Sequence, residues 1–400
     1  MAKSVVFVHD GPLTYDEKGH YYGYGYRGCY ERYRHFGDKV SFVIRTRKSS
    51  KTDVYDRLPD ELRVVSFPDF KSPELFVSNY GEAKRIILGE AKKADFLVLR
   101  VSLAASIAER YARKHGIPYL YECVGCSWDS MWNHSVLGKV LAPVSYLSQR
   151  ASIRRAPYVH YVTTDFLQRR YPTKGKSVGC SDVRIGAPTS TIINRRLERI
   201  ADLSNKSTVI LGTAAAVDVR YKGQETVLRA MPLLASKGIN VVYRLAGGNY
   251  RNSTFLYDLA VRLGVDNKIE FLGALSKEQM PVFYDSLDVY VQPSRQEGLP
   301  RSVVEAMSRA CPVIGSDAGG IPELISSEQV FRKGSQRCFA RSLTALLTGD
   351  IAKVAVNNYY EAKKYSEAVL SEEIASFYRM VMDECEMVDT IPHKTTHCNL

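Results

Sequence analysis

The sequence predicts an α/β protein of two domains, each a largely parallel sheet covered by helices. Three observations predict it. Short β-branched and aromatic runs alternate with helical periodicity along the whole chain, the pattern of parallel strands joined by crossover helices. The pattern restarts after a polar stretch between Ala187 and Lys206, whose Arg195, Arg196 and Arg199 read as an interdomain link. The 400 residues exceed one simple core but suit two. The boundaries drawn are residues 1–195, 196–365 and a C-terminal segment 366–400.

Ser4 to Val8 is a buried strand. It leads into a Gly- and Tyr-rich loop, DGPLTYDEKGHYYGYGYRGCYERY, and a helix near Tyr26 to Phe36. A strand, a Gly-containing loop and a helix open a Rossmann-like domain. Gly11 and Gly19 would let the backbone approach a ligand. GYGYRG (Gly23, Gly25, Gly28) imitates a dinucleotide fingerprint but comes too late after the strand. Tyr21, Tyr22, Tyr24 and Tyr26 suit stacking on sugar rings and packing under a loop equally. Strands follow at Lys39–Thr46, Leu62–Phe67, Asp95–Val101, Ile117–Glu122, Tyr158–Thr163 and Ser177–Ile185, with a helix from Ser102 to about Lys114. Ser135 to Arg155 is an amphipathic helix kinked at Pro143, with Lys139, Arg150, Arg154 and Arg155 on its polar side. It fits a helix lying on an anionic membrane, or a core helix with a solvated basic end.

The second domain opens with a strand, Ser207 to Gly212. Lys222-Gly223 then starts a helix from Glu225 to Leu234. A lysine offers a point charge and a helix start offers free N–H groups, so this is a candidate phosphate site. Val241–Ala246 and Ile269–Leu272 are strands, the first followed by Gly247-Gly248. Phe255–Leu263 and Lys277–Tyr284 are helices. Cys338–Leu347 and Ala352–Met387 are also helical, and Asp389 to Leu400 reads as a loose tail.

Between them lies the most informative stretch, Asp288 to Ile325: DVYVQPSRQEGLPRSVVEAMSRACPVIGSDAGGIPELI. Asp288–Pro293 reads as a strand and Ser294–Leu299 as a polar loop around Gly298. Pro300 is placed to start a helix, where its missing N–H costs nothing. Pro312–Gly315 is a short buried strand. Glu297 precedes the helix and Glu305 lies inside it, about 7–8 Å along the axis. A phosphate on the helix N-terminus would have a carboxylate on each side, one for a ribose and one for a sugar. The plainer reading is an ordinary αβ unit with two solvated glutamates.

The block resembles the donor-binding signature of retaining family 4 glycosyltransferases (glycosyl transferases group 1), which have two Rossmann-like domains facing a central cleft, the GT-B fold. The resemblance rests on Glu297 and Glu305 as E-x7-E, on EGLP…EAM around them, and on GGIPELI after them. It implies that Glu305 binds the nucleotide ribose and Glu297 holds hydroxyls of the donor sugar. Amides at Gly298 and Leu299 would face sugar or phosphate. Lys222 would neutralise the leaving diphosphate, Gly247 and Gly248 would make room for the nucleotide, and Gly212 and Thr213 are further donor-binding candidates. It also implies a last helix crossing back to the first domain, through Ile374, Phe377, Tyr378 and Met380 to Met382.

This chain departs from the family pattern twice. Thr213 stands where an Arg usually follows Gly212, leaving nearby Arg220 as the substitute. Glu122 and Cys123 stand where the first domain often carries a His, so Glu122, with Gly19, is the candidate on the acceptor side. The implied reaction is sugar transfer with retention from a UDP- or GDP-sugar, needing no metal and no cofactor, to a glycan or lipid-linked acceptor in bacterial surface polysaccharide assembly. The alternatives are a nucleotide-sugar epimerase of the same fold and a non-catalytic binder of nucleotide-sugars or polyanions.

Composition narrows the classes further. The formal net charge of +12 attracts polyanions without choosing among lipid, nucleic acid and phosphorylated substrates. No zinc-finger, helix-turn-helix or RNP signature accompanies it, which argues against nucleic acid. Eight cysteines with one lone C-x-x-C (Cys123, Cys126) form no disulfide framework and read as buried thiols. MAKSVVFVHDG is too short and polar for a signal sequence, and no run approaches a membrane span. A cytoplasmic protein, at most touching the inner face of a membrane, is expected.

Overall fold

The computed structural model describes residues 3–49, 55–133, 135–186, 189–248 and 254–390. The first domain runs β1 (Ser4–Tyr15), β2 (Tyr21–Gly23), α1 (Tyr26–Tyr33), β3 (Lys39–Lys48), β4 (Asp56–Arg57), β5 (Arg63–Val65), α2 (Pro73–Ala91), β6 (Phe96–Arg100), α3 (Leu103–His115), β7 (Tyr119–Cys123), α4 (Ser127–Trp132), α5 (Val136–Arg155), β8 (Tyr158–Tyr161), α6 (Phe166–Arg170) and β9 (Lys176–Gly179). Its parallel strands pair in the order β5-β3-β1-β6-β7-β8-β9. Chain order reverses between β1 and β6, which makes the sheet doubly wound.

The long Gly- and Tyr-rich segment differs from the expected loop. β1 shifts register between Val8 and Pro12, continues to Tyr15, and forms an antiparallel hairpin with β2. Leu13, Thr14, Tyr15, Tyr21 and Tyr22 are strand formers on both sides of a polar turn, so the segment pairs rather than wanders. β9 is also shorter than expected. It ends at Gly179, and Ile185 makes only an isolated bridge to Ser366.

The second domain follows as α7 (Ser190–Ala201), β10 (Val209–Ala214), α8 (Gln224–Ala235), β11 (Val241–Ala246), α9 (Thr254–Arg262), β12 (Ile269–Gly273), α10 (Gln279–Asp285), β13 (Val289–Gln292), α11 (Arg301–Ser308), β14 (Val313–Ser316), α12 (Ile321–Leu324), β15 (Val330–Phe331), α13 (Gln336–Thr348), α14 (Ile351–Ala362) and α15 (Glu367–Thr390). The sheet is parallel throughout, β12-β11-β10-β13-β14-β15. Strand order reverses between β10 and β13.

The Arg-rich stretch expected as a link is largely helix α7, and its charges are used inside the second domain. Arg196 is buried, donating to the carbonyls of Leu287 (2.5 Å) and Tyr284 (2.8 Å). Arg199 donates to the Ser286 carbonyl at 2.7 Å and pairs with Asp288 at 2.9 Å. These carbonyls belong to the end of α10 and the residues after it, where a helix leaves acceptors unpaired and favours cations.

The last helix crosses back as expected. Ile374, Phe377, Tyr378 and Val381 of α15 are buried in one cluster with Phe36, Phe96 and Val98 of the first domain. Phe36 lies 4.4 Å, ring centre to ring centre, from both Phe96 and Tyr378. The tail beyond residue 390 lies outside the described residues.

Candidate active site

In a doubly wound sheet, ligands bind outside the carboxyl ends of the strands where strand order reverses. In the second domain that place is flanked by the loops leaving β10 and β13. The two loops are stitched together. The Arg295 N–H donates to the Tyr221 carbonyl at 2.7 Å. Gly223 has φ +72°, and a Cβ there would collide with the Pro293 carbonyl. Only glycine meets both demands at once.

The stitching brings Lys222 and Glu297 together. Lys222 Nζ lies 2.8 Å from Glu297 Oε1. The same oxygen accepts from Gln292 Nε2 (3.0 Å) and Ser294 Oγ (2.6 Å). Gln292 is itself fixed, since its Oε1 accepts from Tyr290 Oη (2.7 Å) and Ser302 Oγ (3.1 Å). The carboxylate is thus held in one orientation by a lysine from before α8 and by two polar side chains from the end of β13. No side chain caps α8 or α11, so their first N–H groups are free of side-chain acceptors.

Glu305 stands on α11 and accepts from Tyr284 Oη at 2.8 Å, with Arg301 Nη1 3.9 Å away. Burial raises its pKa above the usual carboxylate value, while Tyr284 and Arg301 pull it back only in part. A raised value marks a carboxylate whose surroundings do not fully compensate its charge.

Gly298 lies between the domains, and Leu299 packs on the buried cluster that holds Val303 and Ile321. A Cβ on Gly298 would strike the Val124 carbonyl of the first domain, and the Gly298 carbonyl accepts the Gly320 N–H at 2.7 Å. Gly319, at φ +58°, packs on the backbone of Glu297. Gly247 and Gly248 also have positive φ, and Gly247 passes close over the Ala215 carbonyl in the loop after β10.

The remaining candidates take other places. Gly212 makes room for Leu287 inside the domain. Thr213 is fully buried, its hydroxyl 2.7 Å from Tyr243 Oη and donating to the Val291 carbonyl at 2.6 Å. Arg220 stacks its guanidinium 4.4 Å from the Phe255 ring centre instead of joining Lys222 and Glu297. Gly19 supplies the positive φ of the β1–β2 turn. Glu122 is sealed inside the first domain at 1% exposure, accepting from Tyr33 Oη (2.8 Å) and Arg100 Nε (2.9 Å). Burial pushes its pKa up, but Arg100, His160 and Arg32 together hold it well below the usual carboxylate range. Cys123 and Cys126 are buried thiols, and burial raises the pKa of both.

Several side chains of the site escaped sequence reasoning. Gln292 carried a signal, a polar residue ending an otherwise apolar strand at the reversal point. Tyr284 and Ser294 carried none. Contacts between the domains were invisible too. Asn133 donates to Gln296 Oε1 at 3.0 Å, and Arg301 lies 5.0 Å from the Tyr24 ring centre. Glu323, from the GGIPELI segment, accepts the N–H groups of Thr164, Asp165 and Phe166 and the Thr164 hydroxyl, at 2.6 to 3.2 Å. Of the four tyrosines left open between stacking and packing, Tyr22 binds Asp16 and Tyr21 and Tyr26 pack on the core. Tyr24 is exposed and faces the second domain's Arg301.

The chain is similar to known proteins. The family model for glycosyl transferases group 1 matches residues 198–365, the part that carries Lys222, Glu297 and Glu305. Protein CapJ of Staphylococcus aureus is 28% identical over 335 residues, 82% of each chain. The sucrose-phosphate synthase of Thermosynechococcus elongatus superposes with a TM-score of 0.68 at 14% identity, covering 96% of this chain and 100% of that one. The Anabaena protein HepE in complex with UDP-glucose gives 0.62 at 14% identity, over 96% and 100%. The chain therefore has the two-domain GT-B fold, and residues 198–365, most of its second domain, match the glycosyl transferases group 1.

Proposed function

We propose that the protein transfers a sugar from a UDP- or GDP-sugar to a hydroxyl of a glycan or lipid-linked acceptor, with retention of anomeric configuration and without a metal. The observation that carries this reading is the Lys222–Glu297 pair, fixed by Gln292 and Ser294 between the starts of α8 and α11, with Glu305 eight residues on. A diphosphate between two helix N-termini gains from their N–H groups and dipoles. Lys222 then meets the charge that develops as the phosphate departs. Glu297 accepts hydrogen bonds from donor-sugar hydroxyls, and Glu305 from the ribose. The departing phosphate takes the proton of the acceptor hydroxyl, which attacks from the same face. Contacts across the cleft keep water from the donor. The Anabaena neighbour's UDP-glucose supports a uridine nucleotide.

The acceptor assignment, to surface polysaccharide assembly at the inner face of the cell membrane, is supported by the net charge of +12. Among the described residues no helix is long and apolar enough to cross a membrane.

The test is a thermal-shift and hydrolysis screen against UDP-, GDP- and ADP-sugars, with and without EDTA. A shift with one nucleotide, lost in Glu305→Ala and insensitive to EDTA, is expected. Loss of activity with EDTA would overturn the metal-free mechanism. An isomerised nucleotide-sugar formed without acceptor would replace transfer by epimerisation.

A further inference from the structure

Helix α5 turns its face the wrong way for a core helix. Gly138, Ala142, Gln149, Ser152 and Ile153 are its buried residues. A Cβ on Gly138 would strike the Met131 carbonyl, so α4 and α5 are pressed together on this narrow side. The large apolar side chains point outward. Val136, Leu137, Val140, Leu141, Val144 and Leu147 are between 41% (Leu141) and 80% (Val136) exposed. Isolated exposed aliphatics are ordinary, but six on one face of one helix form a contiguous patch. Exposed Trp132 extends the patch onto α4, with Lys139 Nζ 5.9 Å from its ring centre.

The charge carried by the helix itself has one sign, although Arg155 pairs with the buried Glu109 at 3.4 Å. From residue 130 to residue 164 the sequence carries Lys139, Arg150, Arg154 and Arg155 and no Asp or Glu. The acid of α4, Asp129, lies mostly covered, 3.5 Å from Arg170. A second copy of the chain on this face would set cations against cations. An anionic bilayer offers an apolar interior to the aliphatics and negative headgroups to the cations, with an indole and a lysine stem suited to the boundary between them.

We infer that α4 and the outward face of α5 form a docking surface for an anionic lipid bilayer. The surface adjoins the active site. Asn133, at the end of α4, donates to Gln296, the residue before Glu297. Docking therefore sets the edge of the cleft at bilayer level, where an acceptor on a lipid would present its hydroxyl. That last consequence rests on the proposed reaction, whereas the docking itself does not.

Flotation of the full chain with vesicles tests the surface. Two compositions are needed: phosphatidylcholine alone, and phosphatidylcholine mixed with phosphatidylglycerol. Binding to the anionic vesicles, weakened by salt, is expected, and Val140→Glu with Val144→Glu should lower it on the order of ten-fold or more. Val140→Ser with Leu147→Ser removes apolar area without adding charge and should also weaken it. All three positions are exposed, so unchanged melting confirms that the variants fold. Absence of flotation, or equal flotation of wild type and both variants, overturns the assignment. So does a dimer in light scattering that Val140→Glu converts to monomer without any vesicle binding, because the face then belongs to a second copy. Nucleotide-sugar thermal shifts, read without vesicles, show separately whether the donor site works.

Discussion

Glu122 of the first domain and Glu297 of the second each stand in a network of donors on the carboxyl side of their sheet, and the two networks are built differently. In the first domain Glu122 is sealed, facing the guanidinium of Arg100, the hydroxyl of Tyr33 and the ring of His160, 3.7 Å away. In the second domain Glu297 is bound on one oxygen by a lysine and two neutral donors, and Lys222 remains partly open to solvent. A guanidinium is rigid and always charged, which suits a permanent buried pair. An ammonium on a flexible stem can turn to a new anion. The first network has the build of a structural strut, and the second has the mobile cation that the proposed reaction requires.

The largest effect is expected where the strut is broken. Glu122→Ala leaves Arg100 buried without its partner, and such losses cost about 3–5 kcal/mol. Denaturant unfolding should show that loss. A variant of unchanged stability with reduced turnover would instead return Glu122 to the acceptor side of the cleft. The pH dependence carries a matching sign. The folded-state pKa of Glu122 is depressed, so its contribution is complete above the ordinary carboxylate value and is lost as pH falls below it.

Breaking the other pair should act on rate. Lys222→Ala removes a charge-assisted contact worth about 1.5–3 kcal/mol in the transition state, or roughly ten- to over a hundred-fold in kcat/KM. Unfolding should change little, because Gln292 and Ser294 still hold Glu297. Unchanged turnover would remove Lys222 from the mechanism.

This contrast separates what the sequence makes legible from what it hides. The strand–helix alternation, the crossing-back helix and the Glu297–Glu305 spacing are local patterns, and periodicity reads them. Glu122 is opaque because its surroundings come from four separate elements: Tyr33 on α1, Arg100 on β6, His160 on β8 and Tyr378 on α15. Arg196 and Arg199 mislead for the same reason. Their carbonyl partners lie some 90 residues away, so the stretch reads as a solvated link. Thr213 is a third case, since its burial follows from Tyr243 and Val291 on neighbouring strands.

Glu305 sharpens the comparison by pairing function with instability. Its folded-state pKa is raised, so its stabilising contribution exists below the ordinary carboxylate value and is lost as pH rises through the folded value. At neutral pH, Glu305→Gln should fold as well as wild type or slightly better. Donor affinity should nevertheless fall, because a neutral acceptor binds hydroxyls about 1 kcal/mol less well per bond than a charged one. Calorimetry with the nucleotide and a melting curve on the same sample read both. A variant that loses stability and keeps affinity would make Glu305 another strut.

The smallest effect on folding is expected at Glu323, which joins the two domains. Its carboxylate accepts three backbone N–H groups and a hydroxyl at the start of α6. Those donors lie near solvent, so water replaces them in Glu323→Ala and unfolding should shift by about 1 kcal/mol or less. The same segment holds the loop of Glu297 and Gly298, through the Gly320 N–H on the Gly298 carbonyl and Gly319 against Glu297. Loss of the contact should therefore open the cleft and expose bound donor to water. Small-angle scattering should record a larger radius of gyration, and hydrolysis of the nucleotide-sugar should rise relative to transfer. An unchanged radius with an unchanged ratio would mean that the other contacts between the domains, Asn133 with Gln296 and Tyr24 with Arg301 among them, suffice to hold the cleft.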